Sequence, residues 1–211
     1  APSRRRVLSS AIAWSTAQRT ARSRPSTCAW RSPCAINASR KAPSVPASGW
    51  PGEPCVVNCT VSGLKGEPIA GAAIDVWEAG GDGFYDVQKP EGINLRARFR
   101  SDAQGKFHFR CVKPSSYPVP HDGPVGKMLV ATGRHPMRPG HLHFMFEAPG
   151  YEKLVTHLFV KGDRYLDSDA VFGVKESLIV NFRKNAAGEA QCRYDFVLKP
   201  ARKKIRRPPA G

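Results

Sequence analysis

Two histidines, His141 and His143, stand one residue apart, directly after a Pro–Gly pair and at the start of the apolar run HLHFMFEA. In a β-strand, side chains at positions i and i+2 project from the same face. Both imidazoles would therefore point one way, with Leu142 on the opposite face. Paired imidazoles can bind one metal ion or can simply share a polar patch, and the pair alone does not separate these alternatives.

Two tyrosines lie where strands are predicted to end. Tyr85 is in GGDGFYDVQ, shortly after Val76, and Tyr117 is in the proline-rich stretch KPSSYPVPHDGP, shortly after Val112. Loops at strand ends are common places for binding and catalytic residues. A tyrosine there also commonly packs its ring and leaves the hydroxyl at water, so each tyrosine taken singly stays ambiguous.

The elements that must position these side chains are short and β-like. Residue type or alternation favours strands over seven runs, broken by turn segments such as LKGEP and DAQGK: 55–63, 72–79, 106–112, 141–148, 154–160, 177–182 and 193–198. No window has the pattern of a long amphipathic helix. Seven short strands within about 150 residues predict an all-β fold, a β-sandwich or a small barrel.

The net charge of +16 is concentrated at the two ends of the chain. Residues 1–50 hold nine Arg and Lys and residues 201–211 hold five, and neither segment contains an acidic residue. About +2 therefore remains for residues 51–200, which is an ordinary balance for an enzyme. A basic nucleic-acid-binding protein stays as an alternative, but the tail is expected to be solvated and no nucleic acid is expected as a partner.

The segment 1–50 differs in composition from residues 51–200, being rich in Arg, Ser, Ala and Pro. Three interpretations remain open: a targeting peptide, a disordered basic arm, or a GC-rich gene start translated out of frame. The six cysteines show no spacing typical of a disulfide framework, so they are predicted to be reduced and mostly buried. No apolar run is long enough to span a bilayer.

Residues 52–200 resemble the intradiol ring-cleaving dioxygenases. The resemblance is carried by three segments in family order: GEPIAGAAIDVWEAGGDGFYDVQ, LRARFRSDAQGKFHFRCVKPSSYPVPHDGP and GRHPMRPGHLHFMFEAPGYEKLVTHLFVKGD. It implies a β-sandwich catalytic domain and one non-haem Fe(III). It also implies an oxidoreductase of aromatic catabolism in the cytoplasm, which incorporates both atoms of O2 into a small aromatic diol.

The family's functional residues fall on specific positions of this sequence. The resemblance implies that Tyr85, Tyr117, His141 and His143 bind the iron and that Tyr117 leaves it to take up a substrate proton. It implies that Arg138 stabilises anionic charge on the substrate. His157 would lie near the bound substrate.

Within the family, the sequence is more similar to hydroxyquinol 1,2-dioxygenases. YPVPHDGPVG replaces the loop of catechol enzymes, His157 in THLFV stands where they usually carry glutamine, and YLDSDAVFGVK is typical of the hydroxyquinol branch. The expected reaction converts hydroxyquinol (1,2,4-trihydroxybenzene) to 3-hydroxy-cis,cis-muconate, the enol form of maleylacetate. Catechol or chlorocatechol 1,2-dioxygenase activity, and an inactive β-sandwich binding module, are the alternatives.

One part of the family pattern is missing. Family members carry an N-terminal helical region that forms the homodimer contact and part of the pocket, whereas residues 1–50 show no helical pattern. We therefore expect three regions: an aberrant segment 1–50 that favours the out-of-frame interpretation, a dioxygenase-like sandwich over 51–200, and a basic tail over 201–211. A homodimer is doubtful without the helices.

Four other polar residues near the motifs receive no catalytic role. Asp82 and Asp86 flank Tyr85 and are expected to be solvated in the loop. His121 and His135 are expected at the surface or at the rim of a pocket.

Overall fold

Alternating apolar residues form two β-sheets that bury their facing sides against each other. The computed structural model describes residues 52–88 and 95–202. Its elements are β1 (Pro54–Gly63), β2 (Ala73–Trp77), β3 (Arg96–Arg100), β4 (Lys106–Val112), β5 (Tyr117–Pro118), α1 (Pro124–Ala131), β6 (Met137–Arg138), β7 (His141–Glu147), β8 (Leu154–Val160), β9 (Ile179–Val180), β10 (Arg183–Lys184) and β11 (Ala190–Leu198). The expectations for residues 1–50, and for the tail beyond residue 202, lie outside the described residues.

The first sheet has the strand order β10-β11-β1-β4 and the second has the order β3-β2-β7-β8-β9. Strand β1 pairs in parallel with β11 and antiparallel with β4. A separate two-stranded ribbon joins β5 to β6 and places Tyr117 opposite Arg138. This arrangement confirms the predicted all-β sandwich.

Aromatic side chains from both sheets fill the space between them. Phe144 of β7 lies 4.9 Å, centroid to centroid, from Phe196 of β11, and Phe99 of β3 stacks on Phe109 of β4 at 5.1 Å. Phe109 and Phe144 are completely buried. Burial of each such ring contributes about 1.5–3 kcal/mol relative to exposure, so these contacts hold the two sheets together.

Several elements differ from the sequence prediction, among them the two-residue strands β5, β6 and β10. Strand β3 was not among the predicted runs, and the eight-residue helix α1 was too short to produce a sustained helical pattern. Helix α1 begins with Pro124, which is a favourable first residue because its missing N–H would have no intrahelical partner. Within the described residues, no helix is long and apolar enough to cross a membrane.

The described cysteines agree with the prediction of reduced thiols. Cys55, Cys59, Cys111 and Cys192 are all buried and none forms a disulfide. They lie within the core between the sheets.

Candidate metal centre

Strand β7 separates the sandwich core from the candidate site. Leu142 and Phe144 face the interior between the sheets, and alternation sends His141 and His143 to the other face. All four residues are buried. Both histidines therefore project from the same face of β7, as predicted, and the opposite face of the strand packs in the core.

Four predicted ligand residues converge at this face. The hydroxyl oxygens of Tyr85 and Tyr117 lie 2.5 Å apart. The Tyr85 hydroxyl lies 2.8 Å from Nε2 of His143, and the Tyr117 hydroxyl lies 3.3 Å from Nε2 of His141. Bonds of about 2 Å to one ion place neighbouring donor atoms about 3 Å apart, so these separations fit a shared cation.

A backbone hydrogen bond fixes which nitrogen of His141 is available. Its Nδ1 lies 2.7 Å from the carbonyl oxygen of Pro139. Because a carbonyl only accepts, Nδ1 carries the proton and Nε2 keeps its lone pair in the neutral ring. A second partner of this kind orients a histidine for metal binding, and the Pro–Gly turn supplies it here.

Ring contacts hold His143 from two neighbouring strands. Trp77 of β2 and His157 of β8 both lie directly opposite His143 in the sheet register. The indole of Trp77 stacks on the imidazole at 4.8 Å with an interplanar angle of 10°. The His157 ring lies 4.5 Å from that of His143, edge to face.

Tyr85 reaches the site on a loop that needs a glycine. Gly83 has a φ of +82°, and a Cβ there would lie 2.9 Å from the Cβ of Tyr117. Only glycine allows both the left-handed backbone and this close approach. The GGDGFY segment therefore brings the two tyrosines together.

The expectation of a solvated Asp86 is wrong. Its carboxylate is buried and accepts a 2.7 Å hydrogen bond from Nη2 of Arg96, at the start of β3. The ion pair ties the turn that begins after Tyr85 to the edge of the second sheet. Asp82 does remain in the exposed loop, where it accepts a hydrogen bond from the backbone N–H of Phe84.

Arg138 borders the site and is also buried. Its Nη1 lies 2.9 Å from Nε2 of His141, to which it donates. Its Nε donates over 3.0 Å to Oδ1 of Asp169, in the segment between β8 and β9. The structure thus brings the predicted arginine to the four predicted ligands and adds an acidic partner that sequence reasoning missed.

Burial controls the protonation states of the site. Desolvation lowers the pKa of His141 and His143 well below that of a free imidazole, with Arg138 next in effect for His141 and with His141 itself next for His143. Desolvation also raises the pKa of Tyr85 well above that of a free phenol, and Tyr117 raises it further. At pH 7 the imidazoles are therefore neutral, and ionised tyrosines require a nearby cation.

Of three further histidines near the motifs, His157 lies inside the site, whereas His121 and His135 lie outside it. One ring nitrogen each of His141, His143 and His157 lies within 4.8 Å of the others, and burial, followed by Arg138, lowers the pKa of His157 to about 4. His121 instead contacts the carbonyl of Val119, and His135 contacts the hydroxyl of Ser168. Neither His121 nor His135 touches the four convergent residues in these contacts.

Two supporting residues have only weak signatures in the sequence. Trp77 lies within the predicted run 72–79, and its contact with His143 depends on a register that the sequence alone does not determine. Asp169 is one of three acidic residues between positions 163 and 169, and nothing in its local pattern distinguishes it from Asp163 or Asp167.

A known protein family matches most of this chain. A family model described as "Dioxygenase" matches residues 36–200. The chain belongs to this dioxygenase family. The match to the family model begins at residue 36, before strand β1 and within the segment 1–50 of unusual composition.

Relatives in this dioxygenase family bear out the intradiol, hydroxyquinol-like resemblance. The 6-chlorohydroxyquinol 1,2-dioxygenase of Cupriavidus pinatubonensis is 54% identical over 157 residues, which are 73% of this chain and 56% of the relative. The hydroxyquinol 1,2-dioxygenase of Nocardioides simplex is 49% identical over 168 residues, 74% of this chain and 57% of the relative. The chain thus spans little more than half the length of these relatives.

A solved structure shows the same architecture. The hydroxyquinol 1,2-dioxygenase from Pseudomonas putida DLL-E4 superposes with a TM-score of 0.68 at 40% identity, covering 79% of this chain and 65% of that one. The dioxygenase sandwich is therefore the fold of a known intradiol enzyme.

Proposed function

We propose that this chain binds one Fe(III) through Tyr85, Tyr117, His141 and His143 and cleaves hydroxyquinol with O2 between its two adjacent hydroxylated carbons. The observation that carries the proposal is the convergence of two hydroxyl oxygens and two imidazole nitrogens, with neighbouring separations of 2.5, 2.8 and 3.3 Å. The product would be 3-hydroxy-cis,cis-muconate, the enol form of maleylacetate.

The donor set suits a ferric ion. Phenolate oxygens are hard anionic ligands, and neutral imidazoles also bind iron, whereas softer metals favour thiolates. Two phenolates would leave a ferric centre with a net charge of +1, which can attract the oxygens of a deprotonated diol. When bound, the ion supplies Lewis acidity and a template for the two adjacent oxygens.

Tyr117 is proposed to act as a base as well as a ligand. Burial raises the pKa of its hydroxyl, although Arg138 opposes this shift. A phenolate with a raised pKa readily accepts a proton at its hydroxyl oxygen, so it can deprotonate a substrate hydroxyl. The resemblance to intradiol dioxygenases assigns this exchange to Tyr117, and Tyr85 would remain a ligand throughout.

Arg138 is proposed to stabilise negative charge on the substrate. Its Nη1 N–H, which donates to Nε2 of His141 here, becomes available for an anionic oxygen once that nitrogen binds a cation. A buried, preorganised guanidinium is worth more than the same group in water. His157, opposite His143 in the register, would donate or accept a hydrogen bond with a substrate hydroxyl.

Hydroxyquinol is favoured over catechol because the relatives from Cupriavidus pinatubonensis and Nocardioides simplex are both named for hydroxyquinol-type substrates. His157 in place of the glutamine expected for catechol enzymes agrees with this choice. Catechol and chlorocatechols remain alternative substrates. The homodimer and the cytoplasmic location implied by the family stay predictions.

The visible absorption spectrum of the purified chain tests the proposal, recorded before and after anaerobic addition of hydroxyquinol. Tyrosinate bound to Fe(III) gives a broad charge-transfer band, which should shift when the diol binds. Admission of O2 should then yield the ring-opened product. A protein that stays colourless after iron reconstitution would support the inactive binding module instead.

A further inference from the structure

We propose that Asp169 is a positioning residue that holds the Arg138 guanidinium in its working orientation. The inference rests on the proposed function and extends it to a residue beyond the iron ligands and Arg138. Asp169 does not touch the converging donor atoms, so it acts through Arg138.

The two side chains form a buried, two-point ion pair. Arg138 is 2% exposed and Asp169 is 3% exposed. The Nε–Oδ1 distance is 3.0 Å and the Nη2–Oδ2 distance is 3.4 Å. Two of the three guanidinium nitrogens are thus directed at one carboxylate, and the planar fork of arginine leaves Nη1 directed toward His141.

The backbone of its own loop holds the carboxylate in place. Oδ2 accepts a 2.8 Å hydrogen bond from the N–H of Gly173, and Oδ1 accepts one of 3.3 Å from the N–H of Val171. Between them, Phe172 adopts a φ of +55°, which is uncommon for a non-glycine residue. Strained residues of this kind persist where the surroundings determine them, as they do in this carboxylate-centred turn.

Gly173 completes the arrangement by leaving room for the ion pair. A Cβ at this position would lie 3.1 Å from Nη2 of Arg138 and 3.2 Å from Oδ2 of Asp169. Those separations are tight for ordinary contacts, so a side chain would press on both partners. The loop therefore encloses the ion pair closely, with one carboxylate, two backbone amides and a glycine.

Removal of the carboxylate charge would release the guanidinium from its two-point anchor. Nη1 of Arg138 lies 2.9 Å from Nε2 of His141, while Nε and Nη2 are directed at Asp169. Without that anchor, Nη1 would no longer be held in one direction. Asp169 thus fixes the orientation in which Arg138 would meet an anionic oxygen of the substrate.

The test is a double-mutant cycle with Asp169→Asn, Arg138→Leu and the double variant, each loaded with iron. Asparagine keeps the size and one acceptor oxygen but removes the charge. We expect Asp169→Asn to lower kcat about 10- to 100-fold, the range typical of outer-shell partners, while KM changes less and iron content is retained. In the Arg138→Leu background, the same change should cause no further loss, because Asp169 acts through Arg138.

Asp75→Asn is the matched control. Asp75 and Arg98 form another two-point ion pair on an exposed face of the sheet, with two contacts of 2.7 Å each, and this substitution breaks it. It should leave kcat unchanged. Equal losses from Asp169→Asn in both Arg138 backgrounds would show a merely structural role and overturn the inference.

A second measurement separates failure of this inference from failure of the proposed function. In the iron-free full chain labelled with 15N at arginine, the Nε–H of Arg138 should exchange slowly with water, and Asp169→Asn should accelerate that exchange about tenfold or more. Unchanged exchange would overturn the inference even if the chain is an active dioxygenase. A colourless, inactive wild-type protein would overturn the proposed function but not the positioning seen by exchange.

Discussion

The indole of Trp77 lies flat on the imidazole of His143, with ring centroids 4.8 Å apart and planes 10° from parallel. The two residues face each other across the antiparallel pair of β2 and β7. Since the β7 backbone is anchored by core residues on its other face, the stack leaves the His143 ring little freedom to rotate. Trp77 thus links sheet register to the orientation of a candidate ligand.

Replacement of Trp77 by leucine should weaken iron binding. Without the stacked ring, His143 gains rotational freedom that metal binding must remove. We expect the affinity for iron to fall about 10-fold, at the lower end of the effects typical of residues that orient metal ligands. Competition with a coloured iron chelator measures the change. Trp77→Phe, which keeps an aromatic face, should lose less, and equal affinities for wild type and Trp77→Leu would show that the stack does not orient the ligand.

Replacement of Tyr85 by phenylalanine should remove one anionic ligand and most of the charge-transfer absorption. The ring can still fill its buried site, so the fold should persist while iron content and turnover fall. Iron analysis and the visible spectrum check this result. Tyr194→Phe is a suitable control because that hydroxyl donates to the carbonyl of Ser177, away from the site. Full activity of Tyr85→Phe would end the assignment of this ligand.

The iron-free protein should lose stability as the pH falls from about 6.5 toward 4. Burial lowers the pKa of His157 to about 4 in the folded state, whereas the unfolded chain takes up the proton near 6.5. The unfolded state therefore binds more protons within this window, and each pH unit costs about 1.4 kcal/mol for such a histidine. Urea unfolding at pH 7, 6 and 5 measures the slope.

His157→Gln should reduce that slope, because glutamine does not titrate. His108→Gln is the matched control, since His108 is exposed on β4 and its replacement should leave the slope as it is. An identical pH dependence for wild type and His157→Gln would contradict the role of His157 in acid destabilisation. The remaining slope is expected from His141 and His143, whose pKa values are also lowered.

Much of the sandwich could be predicted because its strands alternate clearly. The run that became β7 placed His141 and His143 on one face and Leu142 on the other, as the period of two requires. Strand β3 was harder, because the arginines of RARFR are typical of surface charge. The structure explains them through pairing, since Arg98 forms an ion pair with Asp75 of β2 and Arg96 forms one with Asp86.

The supporting contacts of the site could not be predicted from local sequence. Tyr85 and Tyr117 are 32 residues apart, and Arg138 and Asp169 are 31 apart. Such pairs meet only after the strand order and the loop paths are fixed. Both depend on the packing of the whole fold, which local sequence patterns do not reveal. Asp86 shows the same limit, because its loop position suggested water whereas its partner on β3 made it a buried ion pair.

Replacement of Phe144 by alanine should separate fold stability from the chemistry of the site. Phe144 is completely buried on the core face of β7, one residue from His143, and it contacts Phe196 across the two sheets. Truncating a buried phenylalanine costs about 3–5 kcal/mol, so the unfolding free energy should fall by that amount. The charge-transfer band of the folded, iron-loaded variant should stay unchanged, because the deleted ring lies on the opposite face from the ligands.

Urea unfolding and the visible spectrum, measured on the same sample, check both halves of this expectation. Phe144→Leu should show a smaller loss and guards against a variant that fails to fold. Val155→Ala, at a half-exposed position on β8, should change the unfolding free energy by no more than about 0.5 kcal/mol. A shifted band with unchanged stability in Phe144→Ala would mean that the ring supports the ligands rather than the core.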